Sequence, residues 1–127
     1  MRPPLTLISR LFQFLSNRQF AEAERVLKGI EAQMPDTEWS RGYLHALNGI
    51  IITYRSDDRY AFLHNIDLKD KDEVKRNYRE FMKHSRNRLH TDYDRGFFSA
   101  WADFMKVLMK TNLEVKRSKR SKGIKEG

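Results

Sequence analysis

The side chains able to do chemistry here are cations and imidazoles: twenty-five Lys or Arg stand against seventeen Asp or Glu, with four His and no Cys. Without cysteine there is no disulfide, thiolate nucleophile or zinc knuckle, and the chain does not depend on an oxidising compartment. His45, His64, His84 and His90 are the candidates for acid-base or metal work. The run HTDYD, His90 to Asp94, places an imidazole and two carboxylates within five residues, which could hold a metal only if further ligands converged on it. Asp92 is more simply a helix-start carboxylate, and Asp57 and Asp58 read as a solvated turn. There is no Gly-rich phosphate loop, G-x-S-x-G elbow or H-E-x-x-H pair, and the six glycines do not cluster. No catalytic residue, metal site or cofactor is therefore assigned, and the chain reads as a non-enzyme.

Cationic surface is the stronger signal. The formal net charge is +8, and such a surface attracts polyanions. Residues 114–127 hold six Lys or Arg against two Glu, a net of +4, and the rest of the chain holds nineteen against fifteen, also +4. One cluster is Lys75, Arg76, Arg79, Lys83 and Arg86, opposite an apolar stripe and interrupted only by Glu80. The other is the run KRSKRSKGIK with Lys116, Arg117, Lys119, Arg120 and Lys122, which has no periodic apolar residues and is expected to be disordered alone and to wrap a polyanion. Charge kept for solubility is the plainer account of either cluster. Together they favour contact with nucleic acid, RNA or a ribonucleoprotein before DNA, because no helix matches a sequence-reading DNA motif. The run lacks the aromatic or leucine anchors of a membrane-surface segment.

The stretches REFMKH, Arg79 to His84, and RYAFLH, Arg59 to His64, share the form R-x-x-x-x-H, which resembles the motif of HEPN ribonucleases, a family of all-helical bundles. That resemblance implies a small ribonuclease using Arg79 and His84. Allowing four to six intervening residues, fourteen Arg and four His give roughly 1.3 matches by accident, so two matches are consistent with chance. The polar residue usual after the arginine is missing at Tyr60 and only loosely matched by Glu80.

The elements that carry these residues follow from apolar periodicity. Leu5, Ile8, Leu11, Phe12 and Leu15 trace a first helix behind two prolines, Asn17 breaks it, and Phe20 to Met34 trace a second ending at Pro35. A third carries Trp39 to Tyr54, a shorter segment spans Tyr60 to Ile66, a fourth long helix runs from Val74 to Leu89, and the last from Asp92 to about Thr111. This is an all-α chain of five or six helices in antiparallel helical hairpins, a short solenoid or bundle. One domain, 1–113, is followed by a basic tail, 114–127. At 127 residues it is long enough to bury roughly two-thirds of its unfolded surface in one core. The expected core is Leu11, Phe20, Leu27, Trp39, Tyr43, Leu47, Ile50, Tyr78, Phe81, Phe97, Trp101 and Phe104. No window approaches the roughly 20 apolar residues of a membrane span, and the N-terminal stretch lacks the unbroken apolar run of a signal peptide, so a cytoplasmic protein is expected.

The phrase TEWSRGYLHA, Thr37 to Ala46, recurs as TDYDRGFFSA, Thr91 to Ala100. Each copy starts a long helix with a threonine cap, an acid, an aromatic residue and Arg-Gly. Glycine within a helix costs about 1 kcal/mol relative to alanine, so Gly42 and Gly96 predict close approach by a neighbouring helix.

Paired helices with small residues at fixed places and a closing proline resemble tetratricopeptide-type repeats. In the first hairpin Phe14, Ala23, Leu27, Ile30 and Pro35 match the spacing of that family's aromatic, alanine, aromatic, alanine and proline positions. In the second, Gly49 and Ala61 match its glycine and alanine, while Asn65 and Glu73 replace its later aromatic and proline. The resemblance covers roughly residues 5–66 and implies a groove-forming scaffold that binds a protein or peptide partner.

Overall fold

The computed structural model describes residues 2–56 and 70–126, with side chains as far as Thr111. Within them lie five helices and no strand: α1 (Leu5–Ser16), α2 (Phe20–Gln33), α3 (Glu38–Arg55), α4 (Lys71–Ser85) and α5 (Asp92–Glu126). The segment expected from Tyr60 to Ile66 falls outside the described residues. The architecture is an all-α bundle in which α5 packs against α1, α3 and α4, while α2 covers α1 and α3.

Local chemistry explains where these helices begin and end. Pro4, with φ −65°, caps α1 and its carbonyl accepts the first turn bond from the Leu7 amide at 3.0 Å. At the far end Arg18 takes the left-handed conformation, φ 58°. The Gln19 amide then reaches the Phe14 carbonyl at 2.8 Å and the Arg18 amide the Leu15 carbonyl at 3.1 Å. This bond pair closes a helix in the Schellman manner, usually with glycine at the left-handed position. The break expected at Asn17 is thus made by Arg18, whose guanidinium lies 5.1 Å from the centre of the Phe20 ring.

The fourth helix is shorter than its apolar stripe predicts. Asp70 caps it, accepting from the Asp72 and Glu73 amides at 3.0 and 3.3 Å. It ends at Ser85, four residues before Leu89, because the Asn87 side chain takes the Leu89 amide at 2.9 Å in a turn that competes with the helical ladder. Leu89, expected on the packed stripe, is instead 94% exposed. The last helix runs further than its apolar stripe: where composition predicts chain without structure of its own, the backbone stays helical to Glu126. Lys and Arg, the commonest residues of this stretch, are good helix formers.

The buried core joins Ile8, Leu11 and Leu15 of α1, Ala23 and Ile30 of α2, Tyr43, Leu47, Ile50 and Ile51 of α3, Val74 of α4, and Phe104, Met105, Val107 and Leu108 of α5. Of the expected core, Leu11, Tyr43, Leu47, Ile50 and Phe104 are fully buried; Phe20, Leu27, Trp39, Tyr78, Phe81, Phe97 and Trp101 pack around them half-buried.

The repeated phrase builds the same helix start twice. Thr37 Oγ1 accepts from the Ser40 amide, and Thr91 Oγ1 from the Asp94 amide, each at 3.1 Å. Glu38 pairs with Arg41, and Asp92 with Arg95. The two starts meet at the crossing of α3 and α5. A Cβ built on Gly42 would lie 1.9 Å from the Tyr93 carbonyl oxygen, and one on Gly96 would lie 1.9 Å from that of Trp39. Each glycine thus receives the backbone of the residue three positions before its counterpart. The contact is reciprocal, as across a local two-fold axis.

Gly42→Ala or Gly96→Ala must push two backbones apart and is expected to destabilise the protein by about 3 kcal/mol. Gly29→Ala, where a Cβ meets nothing within 4 Å, is expected to stabilise it by about 0.5–1 kcal/mol. Urea denaturation of the three variants checks both signs.

Candidate nucleic-acid interface

At 100° per residue, Lys75, Arg76, Arg79 and Lys83 of α4 and Arg86, the capping residue just after it, fall within an arc of about 100°, spread over about 16 Å. All five are exposed. Elsewhere five arginines are matched with acids, Arg2 with Asp103, Arg25 with Glu22, Arg41 with Asp36 and Glu38, Arg55 with Glu24, and Arg95 with Asp92, while Arg10, Arg18 and Arg88 enter no ion pair among the described residues. Among the described residues none of the five cations enters an ion pair. The side chains of Lys116, Arg117, Lys119, Arg120 and Lys122 lie outside the described residues.

The cations border a groove. One cavity of about 330 Å³ is lined by Tyr78, Arg79, Met82, Lys83 and Arg86. A second, also about 330 Å³, shares Tyr78, Met82 and Arg86 and adds Arg2, Pro3, Leu5, Asp103 and Lys106. It is framed by α4, α5 and the residues before α1. Tyr78 and Met82 come from the apolar stripe of α4, on its edge next to the cations.

A buried polar network lies at this groove. Asp103 is 7% exposed and accepts from Arg2 through Nε at 2.9 Å and Nη2 at 2.7 Å, while the Tyr43 hydroxyl donates to it at 2.7 Å. Arg2 also reaches the Ser99 carbonyl at 3.4 Å. The carboxylate is thereby neutralised by a two-pronged guanidinium and held by a phenol. Burial, and after it the Asp103 carboxylate, pushes the Tyr43 phenol far above its usual 10; burial alone pushes Tyr54 up to about 12. Sequence reasoning missed this network because Arg2 and Asp103 are 101 residues apart; the one signal was an acid in the otherwise apolar stretch AWADFM.

The histidine motifs have other employment. Arg79 lines the groove, whereas His84 lies about 140° around the helix with its ring stacked 4.8 Å from that of Phe98. Its Nδ1 is 3.2 Å from Nε2 of His90. Arg79 and His84 are therefore not brought together, and the Arg59–His64 pair lies outside the described residues. In HTDYD, His90 faces His84, Asp92 pairs with Arg95, and Tyr93 bonds His45. Among the described residues no three His, Asp or Glu side chains converge as a metal site. Trp39, Tyr93 and Phe98 are half-buried rather than gathered in an exposed patch.

No protein-family model matches this chain, and comparison with curated proteins and with solved structures likewise finds no match. Among the described residues no helix is long and apolar enough to cross a membrane.

Because both phenols hold their protons more tightly folded than unfolded, their stabilisation is complete below pH 10 and is lost as the unfolded chain ionises above it. Unfolding free energy is expected to fall as pH rises from 10 to 12, and Tyr54→Phe to flatten part of that fall. Tyr43→Phe, which also removes the bond to Asp103, is expected to cost about 1–3 kcal/mol at pH 7. Urea titrations at pH 7, 10 and 11 separate the two effects.

Proposed function

We propose that this protein is a non-catalytic binding protein that docks on RNA or a ribonucleoprotein through the cationic face of α4 and the basic stretch 114–127. The observation that carries this reading is the clustering of charge: Lys75, Arg76, Arg79, Lys83 and Arg86 are all exposed, share one arc and enter no ion pair among the described residues. An unmatched row of cations loses little on meeting phosphates and gains the release of their condensed counterions. The reading places the protein in the cytoplasm and needs no cofactor.

A second reading rests on another groove. A cavity of about 420 Å³ between α1 and α2 is lined by Leu7, Phe14, Val26 and Ile30 with Arg10, Glu22 and Arg25 at its margin. This is the hairpin whose spacing resembles a tetratricopeptide-type repeat, and it would receive a peptide of a protein partner. Such binding would depend little on salt.

Fluorescence-anisotropy titration of the full chain and of a version ending at Leu113 against labelled RNA and DNA tests the first reading. Log affinity is expected to fall linearly with log salt. The slope should shrink by roughly 0.7 for each single-strand phosphate contact removed, through the truncation or through Arg76→Gln, Arg79→Gln and Lys83→Gln. Absence of binding at moderate salt, or binding indifferent to salt, would sink it and leave the α1–α2 groove as the site to pursue.

A further inference from the structure

We infer that the groove between α4, α5 and the N-terminal arm is a seat for an unpaired nucleotide segment, with a base laid against Tyr78 and Met82 and the flanking phosphates held by Arg79, Lys83, Arg86 and Lys106. This rests on the polyanion reading above and narrows it from any phosphate backbone to a single strand.

The case begins with where the apolar side chains lie. Tyr78 and Met82 are one turn apart, and both line both cavities. Tyr78 is only partly buried, so part of its surface is left to the groove. Charge alone would be served by cations on a convex helix. Here Tyr78 and Met82 line both an open depression beside Arg79, Lys83 and Arg86 and the groove that Arg2, Asp103 and Lys106 help to wall. That combination, a positive groove with an aromatic platform, is the means by which proteins hold single-stranded nucleic acid, since every base offers a π-face for stacking. A paired base has its faces covered by its neighbours and cannot enter such a groove.

Size and electrostatics agree. Each cavity, at about 330 Å³, is in the range of small-molecule sites of roughly 300–1,000 Å³, and the two are joined through shared walls. The one acid in the wall, Asp103, would repel a phosphate were it free. Both of its oxygens are taken by Arg2, and Oδ2 also by Tyr43, so the groove presents no uncompensated negative charge there. Arg79 to Arg86 spans about 10 Å along the helix, enough to meet more than one phosphate.

Anisotropy titrations of the full chain test this with four probes of equal length: single-stranded RNA, single-stranded DNA, a duplex, and an abasic sugar-phosphate strand. Both single strands with bases are expected to bind more tightly than the duplex and the abasic strand; whichever of RNA and DNA binds better identifies the source. Tyr78→Leu, which keeps apolar bulk but removes the ring, is expected to weaken single-strand binding at least fivefold and leave the duplex and abasic strand unchanged, while Tyr78→Phe restores the loss. Equal affinity for the based and abasic strands, or a Tyr78→Leu variant that binds as wild type, would overturn the inference while salt-dependent binding kept the broader reading. Absence of binding to all four would overturn both. Should Tyr78→Leu fail to fold, photocrosslinking of wild-type protein to a 4-thiouridine strand decides: adducts on Tyr78 or Met82 support the seat, and adducts confined to residues 114–127 refute it.

Discussion

The crossing of α3 and α5 is a contact of backbone with backbone, and most of the bundle depends on it. Two helices ordinarily lie 8–10 Å apart, held off by their side chains. At Gly42 and Gly96 there is no side chain to hold them off, and a carbonyl of each helix lies where the other's Cβ would be. Close approach there brings Tyr43 of α3 to hydrogen-bonding distance of Asp103 on α5. It also brings Tyr54 edge-on to Phe104, their ring centres 6.2 Å apart. The α1–α2 hairpin then packs over this pair, with Phe12 edge-on to Phe104 at 5.8 Å. The glycines are unfavourable to each helix alone and make sense only in the pair.

Once α5 is fixed against α3, its remaining surface positions α4. Phe81 stacks on Trp101 at 5.6 Å and on Phe98 at 6.3 Å, and His84 lies on Phe98. These contacts use one side of α4 and determine which side faces outward. The cations are outward because the aromatic residues are inward; their exposure is a result of packing, and their lack of acidic partners is a separate property of the sequence. The Arg2–Asp103 pair belongs to the same geometry, since it ties the residues before α1 to the middle of α5 and closes one wall of the groove.

Much of this could be read from the residues alone. The five helices, the repeated start and the close approach at both glycines were legible because they rest on local spacing, where periodicity and capping act within a few residues. The glycine prediction specified a neighbouring helix but not that each glycine would face the other's copy, because sequence offset carries no information on pairing. The end of α4 was misread since Leu89 continues the apolar period, whereas the Asn87 side chain intercepts the ladder first. The cationic arc was legible as a face, but the groove beside it was not: nothing in the spacing of Tyr78 and Met82 marks them as a cavity wall, and only α5 and Arg2, brought in from distant parts of the chain, make that stripe edge one. Of the two R-x-x-x-x-H stretches only Arg79 to His84 lies among the described residues, and five residues on a helix set its two side chains about 140° apart around the axis.

The reciprocity of the glycine contact has a further consequence. One copy of the phrase contains both the gap and the group that fills a gap, separated by three residues. A surface of that kind is complementary to itself, the defining property of an isologous interface between identical subunits. In this chain both halves of such an interface are carried on one polypeptide, so the pairing is intramolecular, independent of protein concentration, and free to let the two halves diverge. The helices that lead into the two copies differ in charge: the one before the second carries the cationic arc, while the one before the first, α2, has Glu22, Glu24 and Glu31 among its charges.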